Sequence, residues 1–145
     1  MLSQRKRIEL NKRCNVHFKA LGAIYLPCPL QKRVALNAPQ PMWVWPGLKL
    51  LGCLPIERQG IRNGVEYTVA AVTTESVTLE NGPTLTHEQA VAWLRLPYAM
   101  TYASVQGRET DGTLCLWDCE NFHMSLKHIY VGLSRAKRAS GVRVE

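Results

Sequence analysis

Five prolines between residues 27 and 46 constrain this chain more than any other feature. Pro27, Pro29, Pro39, Pro41 and Pro46 each lack an amide donor and fix φ at about −65°, so neither a continuous helix nor a central strand can run through the segment. It reads as a connector. Trp43 and Trp45 flank Val44 near its end. Paired tryptophans stack on nucleic-acid bases in some proteins and anchor a loop to the core in more, and anchoring is the expectation here.

Before the prolines, Leu10, Cys14, Phe18 and Leu21 recur at spacings of four, four and three, which marks one face of a helix. Arg5, Lys6, Arg7, Lys12, Arg13 and Lys19 supply most of the solvated face, and Gly22 is placed to stop the helix. After the prolines, residues 48–54 read as an apolar strand, Asn63-Gly64 as a tight turn, residues 65–72 as a second strand, and 76–79 as a third closed by Asn81-Gly82. Such a run predicts a small β-barrel or meander inserted in a larger domain.

Thr86-His87-Glu88-Gln89 has the form of a capping box and predicts a short helix through Leu94. Pro97 ends it. Residues 98–102 look like a buried strand and 114–117 like another; Leu126, Ile129, Tyr130 and Leu133 then mark an amphipathic helix, and residues 142–144 offer a last strand. This alternation favours an α/β layer with a parallel sheet. The expected organisation is one domain made of residues 1–40 and 95–145, with a small β-barrel and short helix, residues 41–94, inserted into it.

The net charge of +7 favours polyanionic partners, because each neutralised phosphate releases condensed counterions. No apolar run approaches the ~18 to 20 residues that span a bilayer, so no membrane partner is expected. The charged start, Met1 to Arg7, has no apolar stretch behind it and does not read as a secretory signal, which makes an intracellular protein the default. Five cysteines at uneven spacing fit reduced thiols better than a disulfide framework. Cys115, Cys119, His123 and His128 invite a zinc site, but a two-cysteine, two-histidine finger needs a spacer of about twelve residues between the pairs. Only three separate Cys119 from His123, and no metal site is expected. No G-x-S-x-G elbow supports a hydrolase.

The chemistry concentrates in two stretches. In residues 98–109 an apolar run ends at Thr101 and passes into Ala103-Ser104-Val105-Gln106-Gly107-Arg108-Glu109. A loop of small polar residues after a parallel strand lies where α/β domains bind ligands, and Gly107 permits close backbone approach. In residues 130–138 an apolar helix face gives way to Ser134-Arg135, followed by Lys137 and Arg138. An arginine at the end of a packed helix suits a phosphate, because its planar fork bonds two oxygens.

Together these stretches resemble the last two motifs of superfamily 1 helicases, the RecD-like branch above all, which read approximately A-x-T-V-H-K-S-Q-G and Y-V-A-L-T/S-R-A-R. Ala99, Thr101, Gln106 and Gly107 stand in register with the first; Tyr130, Val131, Leu133, Ser134, Arg135 and Ala136 match the second. The stretch from Ser3 through Asn11 and Asn15 looks like the family's earlier Arg- and Asn-bearing helix, and residues 48–79 look like the small barrel that RecD-like helicases insert. The resemblance implies a RecA-like parallel-sheet domain, the second of the helicase motor. It further implies that Arg135 is the finger reaching the γ-phosphate of ATP, that Gln106, Gly107, Arg108 and Glu109 line the nucleotide, and that Thr101 and Ser104 touch single-stranded DNA. Such fingers are worth ~10³ to 10⁵ in rate. Ala103 and Ser104 depart from the RecD-like His-Lys, removing a cation from the DNA grip, while a UvrD-like version carries serine at the Ser104 position.

Nothing in these residues cradles ATP phosphates. The nearest approach to G-x-x-x-x-G-K-[ST] is Gly47 to Gly52, where Cys53-Leu54 replace the lysine and hydroxyl. ATP and Mg²⁺ would therefore be held with a separate N-terminal RecA-like domain, in a DNA helicase of replication or repair. Alone, the chain is expected to bind nucleic acid weakly and hydrolyse nothing. The alternatives are a stand-alone basic module that grips single-stranded nucleic acid, or an inactive remnant of a viral or mobile-element helicase.

Overall fold

The computed structural model describes residues 4–28, 38–53, 59–105, 107, 109–117, 119–120, 122 and 124–144. The chain divides into two compact units, one of Ile8–Ala99 and one of Met1–Arg7 with Met100–Glu145.

In the unit Ile8–Ala99, strands β3 (Lys49–Gly52), β4 (Glu66–Val72), β5 (Ser76–Leu79) and β6 (Thr84–Thr86) form an antiparallel meander, with Gly64 at φ +80° in the turn before β4. A further strand, β7 (Leu94–Arg95), pairs antiparallel with β3, so the order is β6-β5-β4-β3-β7. Strand alternation buries Tyr67 and Val69 of β4, Val77 and Leu79 of β5 and Leu85 of β6 on one face. The register shifts between Val69 and Ala71, a bulge of the kind that bends a strand and lets a sheet curl around its core. The short helix α2 (His87–Trp93) links β6 to β7 and buries Ala90 and Val91. Its capping box forms as expected: the Thr86 hydroxyl accepts from the Gln89 amide at 3.2 Å, and the Gln89 side chain accepts from the Thr86 amide at 3.0 Å. The expected helix stops one residue short because Leu94 is already extended and joins β7.

The proline segment is more than a connector. Between Pro41 and Pro46 it forms β2 (Met42–Val44), which pairs antiparallel with β1 (Ile24–Leu26) in a two-stranded ribbon. The prolines bound this strand rather than interrupt it, and neither strand of the ribbon is central, as proline requires. Leu26, Met42 and Val44 enter the core. Trp45 anchors there too, at 9% exposure, while Trp43 stays half-buried.

Helix α1 (Gln4–His17) corrects the expected helical face. Phe18 and Leu21 are exposed and Leu10 and Cys14 only half-buried; the buried positions are Arg7, Asn11 and Asn15, again at helical spacing. In the unit Ile8–Ala99 the two asparagines grip backbone. Asn15 Nδ2 donates to the Trp43 carbonyl at 2.9 Å while its Oδ1 accepts from the Trp43 amide at 2.7 Å. Asn11 does the same with Ala99, at 2.9 and 2.8 Å. Each carboxamide thus satisfies one residue's backbone as a neighbouring strand would.

In the other unit, β8 (Leu114–Leu116) and β9 (Val142–Val144) pair in parallel, joined through α3 (Leu126–Leu133), the crossover that parallel pairing requires. Residues 98–102 are not a strand: the chain bends at 97–99 and turns as a 3-10 helix over Tyr102–Val105. The Ala99 amide and carbonyl are taken by Asn11, which leaves no sheet neighbour for them. The fold is therefore mixed helix and strand with a curled antiparallel sheet as its largest element. Among the described residues, parallel pairing is confined to β8–β9 and one bridge between Thr110 and Ala136, and no continuous RecA-like parallel sheet is formed. Nor, among these residues, is any helix long and apolar enough to cross a membrane.

Candidate functional site

The two stretches singled out from the sequence meet within the unit that holds residues 100–145. The Thr110 amide donates to the Arg135 carbonyl at 2.9 Å, and the Lys137 amide donates to the Thr110 carbonyl at 3.1 Å. Glu109, Thr110 and Asp111 thus run beside the turn that carries Arg135 and Lys137. An ion pair, Lys137 Nζ to Asp111 Oδ2 at 3.0 Å, closes the outer side. That hydrogen bond, and then the carboxylate's charge, raises the Lys137 pKa above its ordinary value.

Arg135 follows α3 at its C-terminal end. Its Nε donates to the Val131 carbonyl at 3.3 Å and to Ser134 Oγ at 3.3 Å, and Nη2 donates to Ser134 Oγ at 3.0 Å. Ser134 Oγ in turn donates to the Val131 carbonyl at 3.0 Å. A cation here complements the partial negative charge of the helix end. Arg135 as a residue is half-buried and its guanidinium folds back on its own helix, so reaching an external phosphate requires the head to leave these acceptors.

Packing fixes the base of α3. Gly132 is buried, and a Cβ built there would stand 2.6 Å from Leu116 Cδ2 and 2.9 Å from Tyr102 Cε1. The helix therefore lies close against β8 and against the turn that follows Thr101. Tyr102, 4% exposed, donates its hydroxyl to the Trp117 carbonyl at 3.3 Å. At the other end of α3, the His128 Nδ1 accepts from the Ser125 amide at 3.2 Å and lies 2.9 Å from the Ser125 hydroxyl, fixing the first turn. The expected apolar face is displaced: Leu126 and Tyr130 are exposed, and the inward position is Gly132.

Thr101 and Ser104 hold each other. Thr101 Oγ1 donates to Ser104 Oγ at 3.1 Å, and Ser104 Oγ donates to the Thr101 carbonyl at 2.8 Å. The Ser104 amide donates to the Thr101 carbonyl at 2.9 Å, closing the 3-10 turn. Gly107 has φ +78°, and no atom stands within 4 Å of where its Cβ would be, so its backbone faces open space. Glu109 is exposed. Gln106 and Arg108 lie outside the described residues, as does His123. Among the described residues no three His, Cys, Asp or Glu side chains gather to hold a metal ion. Sequence reasoning missed Gly132, and it named Asn11 and Asn15 only through the resemblance, without their inward contacts. The asparagines carried one signal, their spacing of four on a helix, but polar residues ordinarily mark the solvated face.

No family model matches the sequence, and no curated protein matches it. Solved structures do share its fold. A Bacteroides Pif1 helicase in complex with ADP-AlF3 and single-stranded DNA superposes with a TM-score of 0.66 at 15% identity, covering 99% of this chain and 38% of that one. A Pif1 helicase from a study of forked-DNA unwinding gives 0.64 at 15%, covering 98% and 37%. The Pif1 helicase of Candida albicans gives 0.59 at 15%, covering 98% and 43%. The chain spans about two-fifths of the length of the structures it matches.

Proposed function

We propose that this chain is the second motor domain of a superfamily 1 DNA helicase and supplies an arginine finger to an ATP site completed by another domain. The observation that carries the reading is the likeness to Pif1 helicases over 98–99% of the chain, including one in complex with a nucleotide analogue and single-stranded DNA. The division into residues 1–40 with 95–145 around an inserted barrel, 41–94, belongs to the same proposal.

The residues fit such a role in part. Arg135 sits on a helix end anchored by Gly132 and by the Thr110 ladder, so its stem is positioned while its head keeps a choice of acceptors. A phosphate would offer the guanidinium a bidentate, oppositely charged acceptor in place of the neutral hydroxyl and carbonyl it bonds here, which favours the exchange once a nucleotide is in reach. Glu109 and Gly107 would flank the nucleotide together with Gln106 and Arg108. Thr101 and Ser104 would contact the DNA backbone, each exchanging a neutral hydroxyl bond for one to phosphate. Mg²⁺ and the phosphate-cradling loop would come from the other domain.

The test is DNA-stimulated ATP hydrolysis by this chain joined to a first domain bearing G-x-x-x-x-G-K-[ST]. Arg135→Ala is expected to reduce turnover by ~10³-fold or more, with Arg135→Lys recovering little of it. An unchanged rate in Arg135→Ala removes the finger, and robust hydrolysis by the chain alone defeats the whole reading.

A further inference from the structure

We infer that the corner where α1 meets the β1–β2 ribbon is a stacking platform for unpaired nucleic-acid bases, built from residues other than Thr101, Ser104 and Arg135. The inference holds whether or not the chain completes a motor, since it requires no nucleotide hydrolysis.

Tyr25 and Trp43 are direct cross-strand partners on the positions that alternate with the buried Leu26, Met42 and Val44; Tyr25 is exposed, and Trp43 is half-buried with part of its surface against the core. Their centroids are 5.1 Å apart. The Lys19 ammonium stands 4.1 Å from the centre of the Trp43 ring. Immediately before it, Phe18 stacks on Tyr98 at 5.8 Å with 22° between planes, and the His17 ring meets the Phe18 edge at 4.8 Å. Phe18, Tyr25 and Tyr98 are 58%, 48% and 37% exposed. Core packing accounts in part for Trp43, which is half-buried against the core, but not for Phe18, Tyr25 and Tyr98, whereas an occupant with flat π-faces does.

Charge selects the occupant. The first 53 residues hold nine Lys or Arg against Glu9 alone, while the remaining 92 hold nine against ten acids. The whole positive surplus therefore lies in the part of the sequence that supplies α1, β1 and β2, and Lys12, Arg13 and Lys19 are exposed there. Cations beside exposed rings match a polymer that alternates phosphates with planar bases. An acidic peptide would use the cations and leave the rings bare. Lys19 binds the Trp43 face only weakly at an exposed site, so an arriving base displaces it and frees its ammonium for the neighbouring phosphate. Asn15 holds Trp43 by its backbone, presenting the ring without occupying it.

The experiment is fluorescence anisotropy of the full chain with labelled single strands of about 16 nucleotides: oligothymidylate, oligouridylate and an abasic strand of equal length. The chain is expected to prefer strands with bases over the abasic one by about 5- to 100-fold. Tyr25→Ala and Trp43→Leu should erase that preference while leaving abasic binding unchanged, and Lys19→Gln should lower the salt slope by about one. Circular dichroism checks folding; if Trp43→Leu does not fold, the solvent-facing Tyr25→Ala decides alone. Arg135→Ala should leave the preference intact, which separates this site from the finger. The thymidylate-to-uridylate ratio tells whether the strand is DNA or RNA. Equal affinity for base-bearing and abasic strands, full preference in Tyr25→Ala, or equal binding of polyglutamate overturns the inference.

Discussion

Replacing Asn15 by alanine should cost the unit Ile8–Ala99 much of its stability, although Asn15 is a polar helix residue that sequence alone would place in solvent. Asn15 is 2% exposed and makes two hydrogen bonds, at 2.7 and 2.9 Å, to the two backbone groups of Trp43. Each such bond contributes ~0.5 to 1.5 kcal/mol net, and a half-buried amide and carbonyl left without a partner add part of their desolvation cost. The sum is ~2 to 4 kcal/mol, and in a unit of this size each kcal/mol moves Tm by ~4 to 8 °C. Urea unfolding followed by tryptophan fluorescence is the assay, because Trp43, Trp45 and Trp93 all lie in this unit. Asn15→Asp refines it. The carboxylate still accepts from the Trp43 amide but faces the Trp43 carbonyl, and burial with that repulsion raises its folded-state pKa above the unfolded ~3.9. A raised pKa means stability that is full below the unfolded value and lost as pH rises through the folded one, so the variant's deficit should shrink on acidification. A loss under ~0.5 kcal/mol in Asn15→Ala, the range of an ordinary surface change, would refute the clasp.

Two further predictions concern packing and pH. Gly132→Ala should destabilise by ~1 kcal/mol, because a Cβ 2.6 Å from Leu116 and 2.9 Å from Tyr102 brings an overpacking cost of ~1 to 3 kcal/mol against a helix-propensity gain of ~1; a urea midpoint above that of the parent would show that the contact has room to give. Burial, and then the neighbouring Cys14 thiol, raises the Tyr98 pKa, so its contribution to stability is full below the unfolded value of ~10 and lost as pH rises through the folded one. Tyr98→Phe should delete a late component from the phenolate absorbance titration, and loss of a component at or below ~10 contradicts the burial argument.

Where local rules suffice, the sequence is legible. The Thr86–Gln89 capping box, the turn at Asn63-Gly64, strands 76–79 and 142–144 and the span of α3 all follow from hydrogen bonds or periodicity within a few residues. The failures share a cause. Residues 98–102 are apolar enough for a strand, but a side chain 88 positions away takes the Ala99 backbone, and no local pattern encodes that. The face of α1 was misread because its inward residues are polar and recognise backbone instead of burying hydrocarbon. In α3, Gly132 faces inward because absence of a side chain is what the Tyr102 and Leu116 contacts require, and a hydrophobic pattern gives glycine no weight. Of the candidate site, the pairing of the two stretches was implied by resemblance; the ladder through Thr110 that joins them was not.

That ladder bears on how the proposed finger can act. The two backbone bonds between Thr110 and the Arg135 turn are each worth ~1 kcal/mol net and do not break for a side-chain rotation. The Arg135 guanidinium, by contrast, makes side-chain bonds that include those to the Ser134 hydroxyl and the Val131 carbonyl, at 3.0 to 3.3 Å. Of the two sets, only the side-chain bonds would break on a rotation of the arginine head, and the backbone ladder would keep the stem in register with Glu109 and Asp111. Ser134 then sets the resting position, since its hydroxyl accepts both Nε and Nη2. The position of the proposed finger therefore depends on Ser134 and Gly132 as well as on Arg135 itself.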